Sequence, residues 1–203
     1  MTCAIVLAAG RSRRMGTPKL LLPFAGSTVI ARVVDACLGV PVDATLVVIR
    51  PEDQQVRAAL GDRPVVFAEN PDATGVMLSS VRCGLRALPA AARTILVSPG
   101  DQPSLAPGLI RQMLAHHHSS GSGITVPVHA GRRGHPIIFA ARFREEILRA
   151  FEGVGLRGLL EAHAAEVFEW PTADEAPCED LDTPADYRDA VNRQQAGRDH
   201  SGA

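Results

Sequence analysis

Short apolar runs that alternate with helix-like stretches limit most strongly the folds open to this chain. Strand-like runs occur at Cys3–Ala8, Thr45–Ile49, Val65–Ala68 and Thr94–Ser98. They are apolar at nearly every position rather than at alternate ones, which predicts strands buried on both faces. Stretches with helical spacing of apolar residues follow most of them. The pattern therefore predicts a three-layer α/β/α fold with a mostly parallel sheet.

Two of the intervening stretches have clear helical periodicity. Apolar residues recur at spacings of three and four between Val29 and Leu38, and again between Leu78 and Leu88. Each stretch would place one apolar face on the sheet and its polar face in water. We therefore expect two helices that cover the first strands.

The second half of the chain is less regular. The predicted strands are Ile124–Val128, Pro136–Ala140, Val167–Trp170 and Glu179–Leu181, and the predicted helices are Arg142–Phe151 and Leu156–Ala162. Thr183 followed by Pro184 is typical of a helix start. The chain is polar from Asn192 onward, so we expect a frayed tail at 192–203 after a single domain spanning residues 1–191.

Charge and cysteine usage exclude several classes of function. The 203 residues carry a formal net charge of −1, without the basic excess typical of proteins that bind long nucleic acids. No apolar run approaches the roughly 20 residues that span a bilayer. The apolar start, Met1–Gly10, lacks the basic segment of a signal peptide. Cys3, Cys37, Cys83 and Cys178 form no CxxC pair. We therefore expect reduced thiols, a cytoplasmic location, and neither a nucleic acid nor a membrane as partner.

A basic loop that contains glycine follows the first predicted strand. Gly10 runs into a segment with three arginines, Ser12, Gly16 and Lys19. Glycine lets backbone N–H groups approach a phosphate closely, while arginine and lysine supply positive charge. In open α/β sheets, ligands bind at the carboxyl ends of strands, where this loop would lie. The loop is therefore either an anion-binding cradle or a solvated basic loop.

Two common phosphate-binding patterns are absent from this loop. The Walker pattern fails because Thr17 and Pro18 separate Gly16 from Lys19, and GxGxxG does not occur. Instead, Leu7–Lys19 resembles the LAAGxSxRMGxxK signature of nucleotidyltransferases with the Rossmann-like GT-A fold of nucleotide-diphospho-sugar transferases. It is similar in particular to the molybdenum cofactor cytidylyltransferase (MobA-like NTP transferase) family. The resemblance covers roughly residues 3–190.

The resemblance implies roles for the matched positions of the loop. Nucleotide contacts are implied at Leu7, Ala8, Ala9, Gly10, Arg11, Ser12 and Lys19. Loop backbone groups, including those of Arg14, would hold the β- and γ-phosphates of an NTP. Lys19, with Arg14, would stabilise charge at the transferring phosphate. Cytidylyl members of the family read LAAG where guanylyl members read LAGG, so Ala9 favours CTP.

A second apolar strand ends on an acid, Asp101, at the sheet edge where the first loop also lies. Mg²⁺ binds one or two carboxylates together with phosphate oxygens and water, which suits a carboxylate beside an anion-binding loop. Taken alone, Asp101 would more often be a turn or helix-capping residue. Gly100-Asp101-Gln102-Pro103 nevertheless resembles the family's metal-binding motif, which implies a catalytic, nucleotide-binding and metal-binding role. Mn²⁺ is the alternative metal.

A second acidic segment, Glu179–Tyr187, resembles the family motif D-[I/V]-D-T-P-E-D-Y. In a strand, Asp180 and Asp182 would lie on one face, and one of them would complete the metal site with Asp101. We favour Asp180 as that ligand, while Asp182 is either the ligand or a helix cap. Asp186 is expected to interact with the positive end of the last helix.

The segment Asn70–Val81 resembles the family's G-M-[SL]-S-S segment, which contacts the nucleobase. Val76 interrupts the usual G-M pair here. Ser79 and Ser80 are therefore candidates for base or ribose contacts, with helix capping as the alternative.

Two other segments resemble acceptor-binding motifs of the family. Gly131–Pro136 resembles G-x-x-G-[HN]-P, which implies acceptor contacts at Gly134 and His135, although a lone histidine is more often a structural hydrogen-bonding residue. Gly153–Leu160 resembles G-D-x-G-A-R-x-L-L, which implies a phosphate contact at Arg157. In that segment a valine replaces the usual Asp and a leucine the usual Ala, which leaves the identity of the acceptor open.

By composition alone, the run His116-His117-His118 is typical of a metal site. Consecutive residues on a helix point in different directions, and no other ligand cluster is near in sequence. We therefore expect a solvated helix end.

The sequence thus predicts an Mg²⁺-dependent enzyme that moves CMP from CTP onto a small phosphorylated acceptor, which the resemblance implies is molybdopterin. The alternatives are use of GTP, a sugar or polyol phosphate as acceptor, and a non-catalytic binding or accessory protein. Retention of Lys19, Asp101 and a second acid argues against pure binding. The expected partners are small molecules, together with a transient contact to an enzyme that accepts the product.

Overall fold

The computed structural model describes residues 1–12, 14–72 and 76–201, with side chains of the last helix up to Ala196. The strands are β1 (Thr2–Leu7), β2 (Pro23–Phe24), β3 (Ser27–Thr28), β4 (Ala44–Ile49), β5 (Val66–Glu69), β6 (Thr94–Pro99), β7 (Ile124–His129), β8 (Arg132–Arg133), β9 (Ile137–Ala140) and β10 (Val167–Pro171). The helices are α1 (Val29–Leu38), α2 (Gln54–Leu60), α3 (Met77–Ala87), α4 (Pro107–Ser120), α5 (Arg144–Arg149), α6 (Leu156–Ala162) and α7 (Pro184–Ser201).

The central sheet has the strand order β10-β7-β9-β6-β1-β4-β5, and β8 pairs with β7. Neighbouring strands run parallel, except that β9 is antiparallel to β6 and β7, and β8 is antiparallel to β7. The strands β2 and β3 form a separate hairpin. The prediction of an α/β fold with a mostly parallel mixed sheet is confirmed.

Helices cover both faces of this sheet. Ala4 and Val6 of β1 belong to one core, which contains residues of α1, α2, α4 and α7. Cys3 and Ile5, which point to the opposite face, belong to a second core with residues of α3, α5 and α6. Successive β1 side chains thus enter two apolar layers, which explains why the strand is apolar throughout.

The last helix begins with the polar residues that the sequence predicts. The backbone N–H of Thr183 donates to Asp186 Oδ2 at 2.7 Å, and the N–H of Asp182 donates to the same oxygen at 3.2 Å. The N–H of Asp186 donates in return to Thr183 Oγ1 at 3.3 Å. These reciprocal bonds satisfy amides that a helix start leaves unpaired and place a carboxylate at its positive end.

Two predicted elements differ from the structure. Glu179–Leu181 is not a strand, because the N–H of Leu181 donates to the backbone oxygen of Asp101 at 3.2 Å rather than to a neighbouring strand. The predicted helix Arg142–Phe151 is a 3-10 turn at Ala141–Phe143 followed by the short α5. The helix α7 extends to Ser201, and the predicted fraying of the polar tail after Asn192 stays a prediction.

The prediction of a solvated end for the histidine run is wrong as well. His117 is buried, and its Nδ1 lies 3.0 Å from Thr125 Oγ1. The ring of His116 lies 3.9 Å from that of Phe168, centroid to centroid. Nε2 of His118 lies 3.2 Å from Thr94 Oγ1. The three rings do point in different directions, as expected, but each has its own partner on the sheet.

All four cysteines are free thiols, with Cys3 and Cys37 buried. Burial raises the pKa of Cys37 to about 12, so this thiol stays protonated and unreactive at neutral pH. Within the described residues, no helix combines the length and apolarity needed to cross a bilayer.

Candidate active site

The site forms where β1 and β6 end. These two parallel strands are neighbours, with Leu7 in register with Pro99, so the segments after them leave the sheet side by side. The N–H of Gly100 donates to the backbone oxygen of Leu7 at 2.9 Å. A Cβ on Gly100 would lie 2.8 Å from that oxygen, so only glycine permits this approach. The close crossing brings Asp101 next to the basic loop.

Hydrogen bonds and buried anchors hold the basic loop at both ends. The backbone N–H of Lys19 donates to Ser12 Oγ at 3.3 Å, and Ser12 has a φ of 47°. Met15 and Leu20 are buried, the latter within the 3-10 helix Lys19–Leu21. Ser12 thus has a side-chain role that the sequence did not predict: it fixes the backbone from which the lysine extends.

Lys19 is the centre of the charge cluster. Its Nζ lies 2.5 Å from Asp101 Oδ2 and 3.1 Å from Asp182 Oδ1. Arg14 Nη1 lies 2.9 Å from the other oxygen of Asp182. The side chains of Lys19 and Asp101 are only 12% and 16% exposed. Burial lowers the pKa of Lys19, but the charge of Asp101 and the bonds to both carboxylates outweigh it and hold that pKa above its usual value.

Asp180 occupies a different environment from Asp182. Its Oδ1 accepts a hydrogen bond of 2.9 Å from Gln102 Nε2. Burial, followed by the nearby charge of Asp101, raises the pKa of Asp180 despite that bond. Asp182, by contrast, pairs with Arg14 and Lys19 and does not cap the helix with its side chain. Which of the two acids binds metal stays a prediction.

A cleft of about 410 Å³ gathers most of the predicted nucleotide-binding residues. Its lining includes Leu7, Ala9, Gly10, Arg11, Ser12, Arg14, Lys19, Ser80, Asp101 and Asp182. Ala8 lines a neighbouring cavity of about 380 Å³, which shares Gly10, Arg11 and Ser12 with this cleft. A Cβ on Gly10 would meet no atom within 4 Å, so the loop backbone faces open space at this point. The cleft thus combines exposed backbone, cations and carboxylates.

The two serines of α3 are bound by a residue that the sequence did not single out. Asn70 Nδ2 donates to Ser79 Oγ at 2.9 Å and to Ser80 Oγ at 3.1 Å. Ser79 Oγ donates to the backbone oxygen of Val76 at 2.8 Å, and Ser80 lines the cleft. Gly75, at the start of the segment that resembles the family's base-contacting motif, lies outside the described residues. Asn70 thus fixes the orientation of both hydroxyls.

The predicted acceptor residues line a second, mostly apolar cleft of about 620 Å³. Gly134, His135 and Arg157 lie there, with Met77 and Val154 on the wall. Arg157 is exposed, and its Nε lies 2.8 Å from Glu161 Oε1. Burial lowers the pKa of His135 to about 4, although Asp101 opposes the shift. His135 is therefore neutral at pH 7 and would offer an acceptor hydrogen bonds rather than charge.

The donor set fits a divalent cation shared with a substrate. Asp101 and Asp182 converge on one ammonium group, and hard oxygen ligands of this kind suit Mg²⁺ or Mn²⁺. Within the described ranges, no group of three or more His, Cys, Asp or Glu side chains could hold an ion without help. Phosphate oxygens of a nucleotide would have to supply further ligands.

Several solved structures are similar to this chain over almost its whole length. Rv0371c from Mycobacterium tuberculosis H37Rv is 29% identical, with a TM-score of 0.84 over 94% of this chain and 97% of that chain. A complex of Rv0371c with manganese gives 28% identity and a TM-score of 0.77, covering 94% and 98% of the two chains. A nucleotidyl transferase from Methanothermobacter thermautotroptrophicus (Mth528) is 26% identical, with a TM-score of 0.84 over 97% of this chain and 99% of that chain.

The curated relatives are longer proteins. The bifunctional protein GlmU of Kineococcus radiotolerans is 36% identical over 126 residues, which cover 60% of this chain and 26% of GlmU. The chain therefore spans about a quarter of the length of this relative. The model of the MobA-like NTP transferase domain matches residues 4–167. Because this match covers most of its length, the chain belongs to the MobA-like NTP transferase family of nucleotidyltransferases.

Proposed function

We propose that this protein transfers CMP from CTP to a small phosphorylated acceptor and releases pyrophosphate, with Mg²⁺ as the metal. We propose molybdopterin as the acceptor and the cytoplasm as the place of action. The observation that carries the proposal is the convergence of Lys19, Asp101 and Asp182 beside the open backbone at Gly10. Binding alone does not require an ammonium group and two carboxylates at one point of the cleft.

The proposed reaction needs no side-chain nucleophile. An oxygen of the acceptor phosphate attacks the α-phosphorus of CTP, and a new P–O bond forms. The bond from that phosphorus to the oxygen bridging to the β-phosphate breaks, and pyrophosphate leaves with its electron pair. The protein contributes position and charge: backbone groups of the basic loop bind the β- and γ-phosphates, and Lys19 stabilises charge at the transferring group.

The metal would be held by Asp101 together with Asp182 or Asp180. When bound, it would neutralise charge on the phosphates of the nucleotide during transfer. The manganese complex of the similar protein Rv0371c supports the use of a divalent cation. The Lys19 ammonium group would exchange carboxylate contacts for phosphate contacts as nucleotide and metal enter the cleft.

The choice of CTP rests on Ala9 and on the basic loop, and the choice of acceptor rests on the resemblance. Ala9 lines the cleft at the strand end, so a different residue there would change the contact surface for the nucleotide. In the second cleft, exposed Arg157 would supply positive charge and neutral His135 a hydrogen bond. These two groups support an acceptor that carries a phosphate.

Pyrophosphate release tests the proposal directly. CTP, GTP, ATP and UTP would each be incubated with Mg²⁺ and molybdopterin, and parallel reactions would contain a sugar phosphate or a polyol phosphate instead. We expect release only with CTP and molybdopterin. Release with GTP would correct the base, and release with a sugar or polyol phosphate would correct the acceptor. Tight CTP binding without release in any mixture would instead support an accessory binding protein.

A further inference from the structure

The backbone oxygen of Pro177 joins three segments of the site. It accepts a hydrogen bond of 3.0 Å from Gln102 Nε2, next to Asp101, and one of 2.8 Å from the N–H of His135 in the acceptor cleft. A Cβ on Gly134 would overlap the same oxygen, so the turn Gly131–Pro136, here named the acceptor turn, packs directly against it. Pro177 itself opens the segment that carries Asp180 and Asp182.

Gln102 makes the connection to the second acid. Its Nε2 donates to Pro177 O at 3.0 Å and to Asp180 Oδ1 at 2.9 Å, which uses both N–H bonds of the amide. The reversed amide would set its oxygen against two acceptors, so these partners determine the orientation. The N–H of Leu181 adds a bond of 3.2 Å to the backbone oxygen of Asp101. The two acidic segments are therefore joined at several points.

Packing alone does not explain a glutamine at this position. Gln102 is 1% exposed, and its Oε1 is buried without a hydrogen-bond partner among the described residues. A buried acceptor without a partner costs stability that an apolar side chain of similar size would not. The Oε1 atom of Gln102 thus costs stability, whereas its Nε2 atom makes two hydrogen bonds. This is expected of a residue whose N–H₂ group has a role in the site.

We propose that Gln102 is a positioning residue, whose hydrogen bonds hold Asp180 and the Pro177 carbonyl at fixed positions relative to Asp101. It thereby fixes the proposed metal-binding carboxylates relative to the acceptor turn. The inference rests on the proposed function, because it assumes that Asp101 and the second acidic segment hold the metal. Gln102 itself need not contact substrate. Loss of the Gln102 amide would act by displacing its two hydrogen-bond partners, the Pro177 oxygen and the Asp180 carboxylate.

The test compares Gln102→Glu and Gln102→Leu with wild type and with Gln112→Glu, the same change at an exposed position on α4. Glutamate keeps the shape but loses the paired donors, while leucine loses them without adding charge. Binding of Mn²⁺ in the presence of CTP, without acceptor, is measured from the free Mn²⁺ signal in electron paramagnetic resonance. Thermal midpoints, kcat and the KM of each substrate are measured on the same samples.

Both Gln102 variants should bind Mn²⁺ about 10- to 100-fold more weakly and lose kcat to a similar extent, as is typical when a residue supporting metal ligands is lost. The affinity for CTP without metal should change little, and Gln112→Glu should match wild type. A lower thermal midpoint with unchanged Mn²⁺ affinity and kcat would show a merely structural role and overturn the inference. An Asp101→Asn arm tests the proposed function separately: wild-type Mn²⁺ binding in that variant would place the metal elsewhere.

Discussion

Nζ of Lys19 lies 2.5 Å from Oδ2 of Asp101, so the protein places its own cation against the carboxylate proposed to bind the metal. Lys19 is the only lysine in the sequence, and the other 20 of the 21 lysine and arginine residues are arginines. A compact ammonium group with three donors suits a point between two carboxylates better than a planar guanidinium group. Under the proposed function, this pairing would make Lys19 compete with the metal for Asp101 until nucleotide binds.

Replacement of Lys19 by methionine should separate these two effects. Turnover should fall about 10²- to 10³-fold, because a positioned charge at the transferring phosphate is lost. Mn²⁺ affinity in the absence of nucleotide should rise, since Asp101 and Asp182 lose a shared cation. Steady-state kinetics and Mn²⁺ titration measure the two quantities. Unchanged turnover would remove Lys19 from the mechanism.

The single lysine also permits a chemical check. An amine-selective reagent has only the chain's amino terminus and the Lys19 side chain as amine targets. Peptide mass spectrometry should show slow labelling of Lys19, which is 12% exposed, and slower labelling still with CTP and Mg²⁺. Faster labelling on addition of CTP would contradict a phosphate contact at this amine.

Substitution of Asp101 by asparagine should abolish turnover while leaving the fold intact. The change keeps the shape of the side chain but removes the charge that would bind a divalent cation. Asp189→Asn, at an exposed position on α7, is the matched control and should retain activity. Pyrophosphate release and thermal midpoints measure both properties. Near-normal pyrophosphate release by Asp101→Asn would contradict the proposal that Asp101 binds the metal.

Gly100 should be intolerant of even one methyl group. A Cβ there would lie 2.8 Å from the Leu7 oxygen and 3.0 Å from Ile30 Cδ1, so Gly100→Ala should lower the free energy of unfolding by about 1–3 kcal/mol. Gly108 on α4 has no atom within 4 Å of its Cβ position, and Gly108→Ala should be neutral or stabilise by up to about 1 kcal/mol. Urea denaturation measures both. Equal effects in the two variants would contradict the close approach.

His117 should make the protein less stable in mild acid. Burial, aided by His118, Arg142 and His116, lowers its pKa from 6.5 to about 4. As the pH falls below 6.5, His117 becomes protonated in the unfolded chain, whereas in the folded chain it stays neutral until about pH 4. The contribution of His117 to the free energy of unfolding is fully present above pH 6.5. It falls by about 3 kcal/mol as the pH drops to 4, at 1.36 kcal/mol per pKa unit.

Denaturation curves of wild type and His117→Gln across this pH range isolate the effect, because all other titrating groups are shared. The variant should lose less stability than wild type between pH 6.5 and pH 4. His129→Gln controls for the removal of one imidazole group. Parallel curves for wild type and His117→Gln would show that burial of this ring does not perturb its titration.

Local patterns predicted the elements that bury continuous apolar sequence. The strands β1, β4 and β6 lie where the apolar runs placed them, because their residues contact two apolar layers. The helices α1 and α3 lie where periodicity placed them, because each packs one apolar face on one side of the sheet. Burial of this kind leaves a direct trace in sequence. The meeting of Asp101 with the basic loop was also predictable, since parallel strands end at one edge of the sheet.

Contacts between distant segments were not predictable in this way. The Glu179–Leu181 segment has the composition of a short strand, but its amide bonds to Asp101 rather than to a sheet neighbour. Gln102 and Asn70 matter through partners that only the folded chain brings near. The histidine run is polar in composition, yet His117 faces Thr125 on β7 and is buried.

The position of Asp182 in the chain has a consequence for the order in which the site is built. During synthesis all ten strands leave the ribosome before this residue does. The sheet edge, the basic loop and Asp101 can thus assemble while the second acid is still missing. Under the proposed function, a nascent chain would expose the phosphate-binding surface before it contained every carboxylate of the site, so nucleotide affinity should appear earlier in synthesis than catalysis.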